Sequence, residues 1–119
     1  MQITQCLHAA ILVSDLERAE HFYGKVLGLY KIDRTLKFPG AWYQVGEFQI
    51  HLIVADISSD MVDSQKLGRN RHLAFSVANL DAAKEQIINN NCPVQMSASG
   101  RAALFTQDPD GNIIELSQV

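Results

Sequence analysis

Four side chains of this 119-residue chain have the types and the spacing to hold a metal ion: His8, His51, His72 and Glu115. His8 and His72 stand 64 residues apart, and so do His51 and Glu115. Imidazole nitrogen and carboxylate oxygen together suit divalent first-row ions. Three imidazoles and one carboxylate leave one or two positions open on a five- or six-coordinate ion. A catalytic centre needs such an opening, and a structural one closes it. A lone strand histidine is more often a hydrogen-bonded structural residue. The equal spacing lifts this set above that reading. The remaining histidine, His21, falls outside the relation and reads as a solvated helix residue.

The spacing belongs to an internal repeat. Sliding the chain by 64 places His8 on His72, Ala10 on Ala74, Val13 on Val77, Leu16 on Leu80 and Ala19 on Ala83. It also places Ile50 on Ile114, His51 on Glu115 and Leu52 on Leu116. Strand and helix patterns stay in step together, as duplicated supersecondary units require. Each half reads β-α-β-β-β, so the fold class is α+β with tandem βαβββ modules. The first module covers 5–55, a polar hinge covers 56–70 and the second module covers 71–119, within one domain of 1–119.

Alternation of Leu7, Ala9, Ile11 and Val13 suits a strand buried on the Leu7 face. Ser14 with Glu17 has the spacing of a capping box. Leu16, Ala19, Phe22, Tyr23, Val26 and Leu27 then form one apolar helical stripe, with Gly28 at its end. Strands are expected at 30–37, 41–45 and 48–55. The second half repeats this with a strand at 71–77 and a helix at 79–89 that turns Leu80, Ala83, Ile87 and Ile88 inward. Strands at 94–97, 102–107 and 112–118 complete it. Asp108-Pro109-Asp110-Gly111 marks a turn before the last strand. If each helix covers the more apolar sheet face, His8, His51, His72 and Glu115 all point to the other, concave face.

Composition narrows the partners. The net charge is −3 and the isoelectric point about 5.7, so no basic field for nucleic acid or an anionic membrane exists. The longest fully apolar run spans only 9–13, against roughly 20 residues for a membrane helix. The first eight residues lack the charge and apolar core of a signal peptide. Cys6 and Cys92 have no metal or redox spacing and read as small buried thiols of a cytoplasmic protein.

Several motifs carry a family resemblance: Val13-Ser14-Asp15-Leu16, Phe22-Tyr23, Val26-Leu27-Gly28-Leu29, Arg71-His72-Leu73-Ala74-Phe75, and Asp108-Pro109-Asp110-Gly111-Asn112 with Ile114-Glu115-Leu116. Together with Leu7-His8 and the stretch from Gly40 to Leu52, the chain resembles the vicinal oxygen chelate superfamily over nearly its whole length. That group includes glyoxalase I, fosfomycin-resistance thiol transferases, extradiol dioxygenases, methylmalonyl-CoA epimerase and metal-free bleomycin-binding proteins. The resemblance implies paired modules forming a curved mixed sheet around a divalent metal ion (nickel, zinc, manganese or iron). The family's metal positions fall on His8, His51, His72 and Glu115.

The resemblance also implies a homodimer with two shared sites, each joining the first-half ligands of one chain to the second-half ligands of its partner. The implied activity is that of a glyoxalase-like lyase or isomerase chelating a small substrate through adjacent oxygens, with a thiol as cosubstrate. In glyoxalase I, glutamates beside the metal move a proton. Glu115 matches one of these, and His51 occupies the other position, so both are assigned as proton-moving residues. The alternatives are a fosfomycin-type thiol transferase, an extradiol-type dioxygenase and a non-catalytic small-molecule-binding protein. Around the centre, Trp42, Tyr43 and Phe38 are candidates for an apolar substrate wall. Arg34 and Arg101, with Lys37 as a further cation, are candidates for a substrate anion, and Gln49 for substrate or a water.

Overall fold

The computed structural model describes residues 1–57 and 62–119. The chain divides into two compact units, Met1–Ile57 and Ser58–Val119. In the first, β1 (His8–Val13) leads into α1 (Leu16–Glu20), which continues as a π-helical segment, His21–Val26. Then come β2 (Tyr30–Ile32), β3 (Gly40–Val45) and β4 (Phe48–Val54). The sheet order is β1-β4-β3-β2. The helix returns the chain, so β1 and β4 pair parallel, and the tight connections make the other pairs antiparallel.

Strand alternation sorts the first unit into two faces. Ile11, Val13, Ala41, Tyr43, Ile50 and Leu52 are buried, as are Ala19, Phe22, Tyr23 and Val26 of the helical stretch. The opposite face carries His8, Ala10, Trp42, Gln44, Gln49 and His51, with Ala10 and Trp42 both in register with His51. The π-type closure, Leu27 N–H to Phe22 carbonyl at 2.9 Å, widens one turn where Phe22 and Tyr23 are both buried. Between β3 and β4 the chain reverses in two residues, with Gly46 at φ +58°.

The second unit repeats the plan with β5 (His72–Ser76), α2 (Leu80–Asn89), β6 (Gln95–Met96), β7 (Ala103–Gln107) and β8 (Ile113–Ser117). Its order is β5-β8-β7-β6. Ala74 pairs with Glu115 just as Ala10 pairs with His51, so the 64-residue relation holds in the strand register itself. The β7–β8 reversal is longer. There the Asp108 carboxylate accepts from the backbone N–H groups of Asp110 and Asn112 at 2.9 and 2.8 Å. Among the described residues, no helix is long and apolar enough to cross a membrane.

The α+β class and the two βαβββ halves are found as expected, with local differences. The first helix is capped by Asp15, not Ser14. Asp15 has the extended backbone of a cap, and its carboxylate accepts from Arg18 N–H at 3.0 Å. Leu7 precedes the strand and is 64% exposed. β2 stops at Ile32 because its pairing with β3 ends at Trp42. Ile88 is 51% exposed. Its neighbour Ile87 takes the inward position, and successive helix residues point about 100° apart. Cys6 is exposed and Cys92 half-buried; both are free thiols, and burial pushes the Cys92 thiol up.

The expected hinge at 56–70 also differs. Its residues 58–61 lie outside the described residues. Residues 63–70 are not an open connection: they fold into a cross-bonded loop with a 3-10 turn, Leu67–Arg69, packed on the second unit. Leu67 is buried in a cluster with Phe105 and Ile113.

Candidate metal centre

In the first unit β1 and β4 bring His8 and His51 together. Their rings stack at 4.1 Å with planes 16° apart. The indole of Trp42 covers the buried His51 ring in parallel, 3.7 Å away at 6°. The guanidinium of Arg34 lies 4.1 Å over the Trp42 ring, a cation–π contact. Burial, then the charges of His8 and Arg34, hold the His51 pKa below its ordinary value. These causes favour a neutral imidazole.

A chain of amides fixes which His51 nitrogen carries the hydrogen. Gln44 Nε2 lies 2.7 Å from the Gly46 carbonyl and 3.3 Å from that of Phe48, and carbonyls only accept. Gln44 Oε1 therefore accepts from Gln49 Nε2, at 3.0 Å. That leaves Gln49 Oε1 facing His51 Nε2 at 2.8 Å, so Nε2–H donates and Nδ1 holds the lone pair.

In the second unit β5 and β8 bring His72 Nε2 within 3.2 Å of Glu115 Oε1. The other carboxylate oxygen, Oε2, accepts from Ser117 Oγ at 2.5 Å and from Arg101 Nη1 at 3.4 Å. The Ser117 hydrogen bond, then Arg101 and His72, hold the Glu115 pKa below the usual carboxylate value against the opposing effect of burial. His72 Nδ1 donates to the Asn70 carbonyl at 2.7 Å. A neutral ring held in this way turns the Nε2 lone pair toward a carboxylate oxygen. Two electron-rich atoms so placed call for a cation beside them, as a proton or a metal ion. A ligating histidine whose second nitrogen donates to a carbonyl is a recurrent metal-site arrangement.

The four expected ligands thus come as two pairs, one on each unit. Among the described residues, no group of three or more His, Cys, Asp and Glu side chains stands together to hold a metal. His21 is exposed. The expected substrate groups take different positions. Tyr43 is 1% exposed in the core face and lines no wall. Both amide ends of Gln49 are taken by His51 and Gln44, so it orients an imidazole. Trp42 has both ring faces covered, while its Nε1 is buried without a hydrogen-bond partner among the described residues. Arg101 reaches Glu115, and Phe38 is 44% exposed. Sequence reasoning missed Gln44, Asn70 and Ser117. Ser117 alone had a signal, as a hydroxyl two positions from Glu115 on the same strand face.

Comparison with known proteins agrees with this architecture. A family model, Glyoxalase/Bleomycin resistance protein/Dioxygenase superfamily, matches residues 5–116. Lactoylglutathione lyase of Escherichia coli O157:H7 is 35% identical over 121 residues, spanning 92% of this chain and 89% of that protein. The crystal structure of lactoylglutathione lyase from Agrobacterium tumefaciens superposes with a TM-score of 0.70 at 21% identity, covering 97% of this chain and 93% of the other. A fosfomycin resistance protein, FosX, from Listeria monocytogenes, crystallised with Mn(II) and a dihydroxypropylphosphonic acid, gives 0.78 at 18% identity over 98% and 93%. At these identities the two structures share the fold. From the match over nearly all of its length, the chain belongs to the Glyoxalase/Bleomycin resistance protein/Dioxygenase superfamily.

Proposed function

We propose that this chain is a divalent-metal-dependent, glyoxalase-like lyase or isomerase acting on a small substrate that presents adjacent oxygens. The observation that carries the reading is His72 Nε2 set 3.2 Å from Glu115 Oε1, with the opposite atoms of both groups already bonded. This donor pair fits a divalent ion, and His8 with His51 supplies the further imidazoles. A divalent ion held there supplies Lewis-acid stabilisation of negative charge developing on a substrate oxygen. The 35% identity to lactoylglutathione lyase supports the hemithioacetal of a thiol and a 2-oxoaldehyde as the substrate class.

The two proton-moving candidates divide by environment. Glu115 is held ionised by Ser117 and Arg101, which weakens it as a proton acceptor and suits it to balancing the charge of the ion. His51 stays neutral with its Nε2–H committed to Gln49, leaving Nδ1 as the basic atom. That one lone pair serves either the ion or the proton next to the substrate carbonyl, and we assign it the proton in the state where His8, His72 and Glu115 hold the ion. Trp42 shields the His51 ring from water on one side, and Arg34 lies beyond it as a cation for an anionic substrate tail.

The ligand pairs are completed in a cytoplasmic homodimer, the first-unit pair of one chain meeting the second-unit pair of its partner. The test is hemithioacetal turnover by protein purified without chelators, with Ni2+, Zn2+, Mn2+ or Fe2+ restored in parallel. Turnover that follows metal content supports the reading. Protein that takes up none of these ions overturns it.

A further inference from the structure

We propose that residues 63–70 form a positioning device for His72, anchored by Gln95 and ending in the carbonyl of Asn70. The loop is closed on itself. Asp63 Oδ1 accepts from the backbone N–H groups of Gln65 and Lys66 at 3.1 and 3.2 Å. The Asn70 side chain accepts from Asp63 N–H and donates to the carbonyls of Asp63 and Leu67, each at 3.0 Å. Gln95 ties this loop to the sheet. Its Oε1 accepts from Leu67 N–H at 2.8 Å, and its Nε2 donates to the Ser64 carbonyl at 3.2 Å. Gly68 lies flat against Phe105, where an added Cβ would come within 2.5 Å of the ring. Phe105 in turn meets His72 edge-on, with centroids 5.4 Å apart and planes at 89°.

The loop's product is one hydrogen bond, from His72 Nδ1 to the Asn70 carbonyl at 2.7 Å. A carbonyl oxygen only accepts, so Nδ1 carries the hydrogen and Nε2 is bare in the neutral ring. In water the neutral imidazole side chain prefers its hydrogen on Nε2. The loop therefore enforces the less favoured tautomer and aims the bare Nε2 beside Glu115 Oε1. Gln95 acts through Asn70 and His72. Its effect on metal affinity rests on the proposed metal-dependent function; its effect on the tautomer does not.

The experiment uses the full chain, metal-free and labelled with 15N-histidine. The sample is held at about pH 8.5, well above the ordinary imidazole value of about 6.5. Long-range 15N–1H correlations then read each tautomer. Wild-type protein is expected to show Nδ1–H at His72. Gln95→Leu is expected to shift His72 toward Nε2–H and to weaken Zn2+ binding by about tenfold, with unchanged circular dichroism. Gln95→Glu keeps an acceptor for Leu67 N–H and is expected to restore most of both signals. Asn70→Ala, which opens the loop but keeps the carbonyl, serves if the leucine variant does not fold. Nε2–H without Nδ1–H at His72 in the wild type overturns the proposal. So does a folded Gln95→Leu with unchanged tautomer and unchanged Zn2+ affinity. Protein that binds no Zn2+ but keeps Nδ1–H at His72 overturns the metal reading and upholds the positioning one.

Discussion

The two units place their polar pairs at equivalent points of equivalent strands, yet they hold them by different means. In the first, two imidazoles stack beneath an indole, and the residue two before His51 orients it. In the second, an imidazole faces a carboxylate, and the residue two after Glu115 orients it. The counterpart of Gln49 is Ile113, and that of Ser117 is Ile53. The lead-in segments differ as well. Residues 1–7 are exposed and carry no regular structure, whereas 63–70 form the braced loop before His72. Duplication of a backbone preserves where the polar pairs stand. Their neighbours decide how each ring is held and where the negative charge sits, so the first unit offers two imidazoles and the second supplies the anion.

The largest effect expected from breaking this comparison is on metal content. His8→Ala and His72→Ala should each lower metal affinity beyond the roughly 10- to 100-fold typical of outer-sphere changes, with the fold retained. Mixing the two variants and allowing exchange should restore metal binding and turnover. A mixed dimer with shared sites contains one intact set, whereas sites built within single chains would stay broken. Isothermal titration of the two variants and their mixture reads this directly.

Next in size is alkaline stability. Tyr43, 1% exposed, is pushed up to about 12 from 10.0, first by burial and then by Glu20. A pKa raised in the folded state gives stability that is full below pH 10 and lost as pH rises through 12. The rise corresponds to about 3 kcal/mol. Thr106 stands at the corresponding place in the second unit, so alkaline opening should begin in the first. Tyr43→Phe should remove most of the slope between pH 10 and 12 in urea titrations.

Ser117→Ala should cost about 1 to 1.5 kcal/mol at pH 7. Glu115 is depressed in the folded state, so its contribution is present above the ordinary carboxylate pKa and lost as pH falls through the folded value. The cost of the substitution should therefore shrink in acid, as guanidinium titrations at pH 7 and pH 3 would show. The smallest effect, about 0.5 to 1 kcal/mol, is expected for Gln49→Leu at its half-buried position. Its informative readout is a loosened His51 tautomer in the same NMR spectra, with His72 unchanged.

The architecture and the placement of the four polar side chains were legible because both follow from periodicity. A separation of 64 becomes strand register, and alternation then decides the face. What escaped lacks a period. The cap was ambiguous because Ser14 and Asp15 are both good cap residues, and only backbone conformation separates them. The loop at 63–70 looked like a hinge because its polar side chains are typical of connections. Its order comes from bonds to Gln95, 28 and 31 residues further on. The Gln44–Gln49 amide chain spans a hairpin, where composition says nothing about which amide meets which.

The reversal at Gly46 has a reach well beyond its own position. At φ +58° it sits where side chains are disfavoured, and its two residues set how β3 meets β4. A bulkier residue there that let the hairpin slip by one place would turn the strand inside out. His51 would then be driven into the space now filled by Ile50, and Ile50 would be thrust outward in its stead. A change in the turn alone would thereby break the pair of imidazoles while leaving both of them in the sequence.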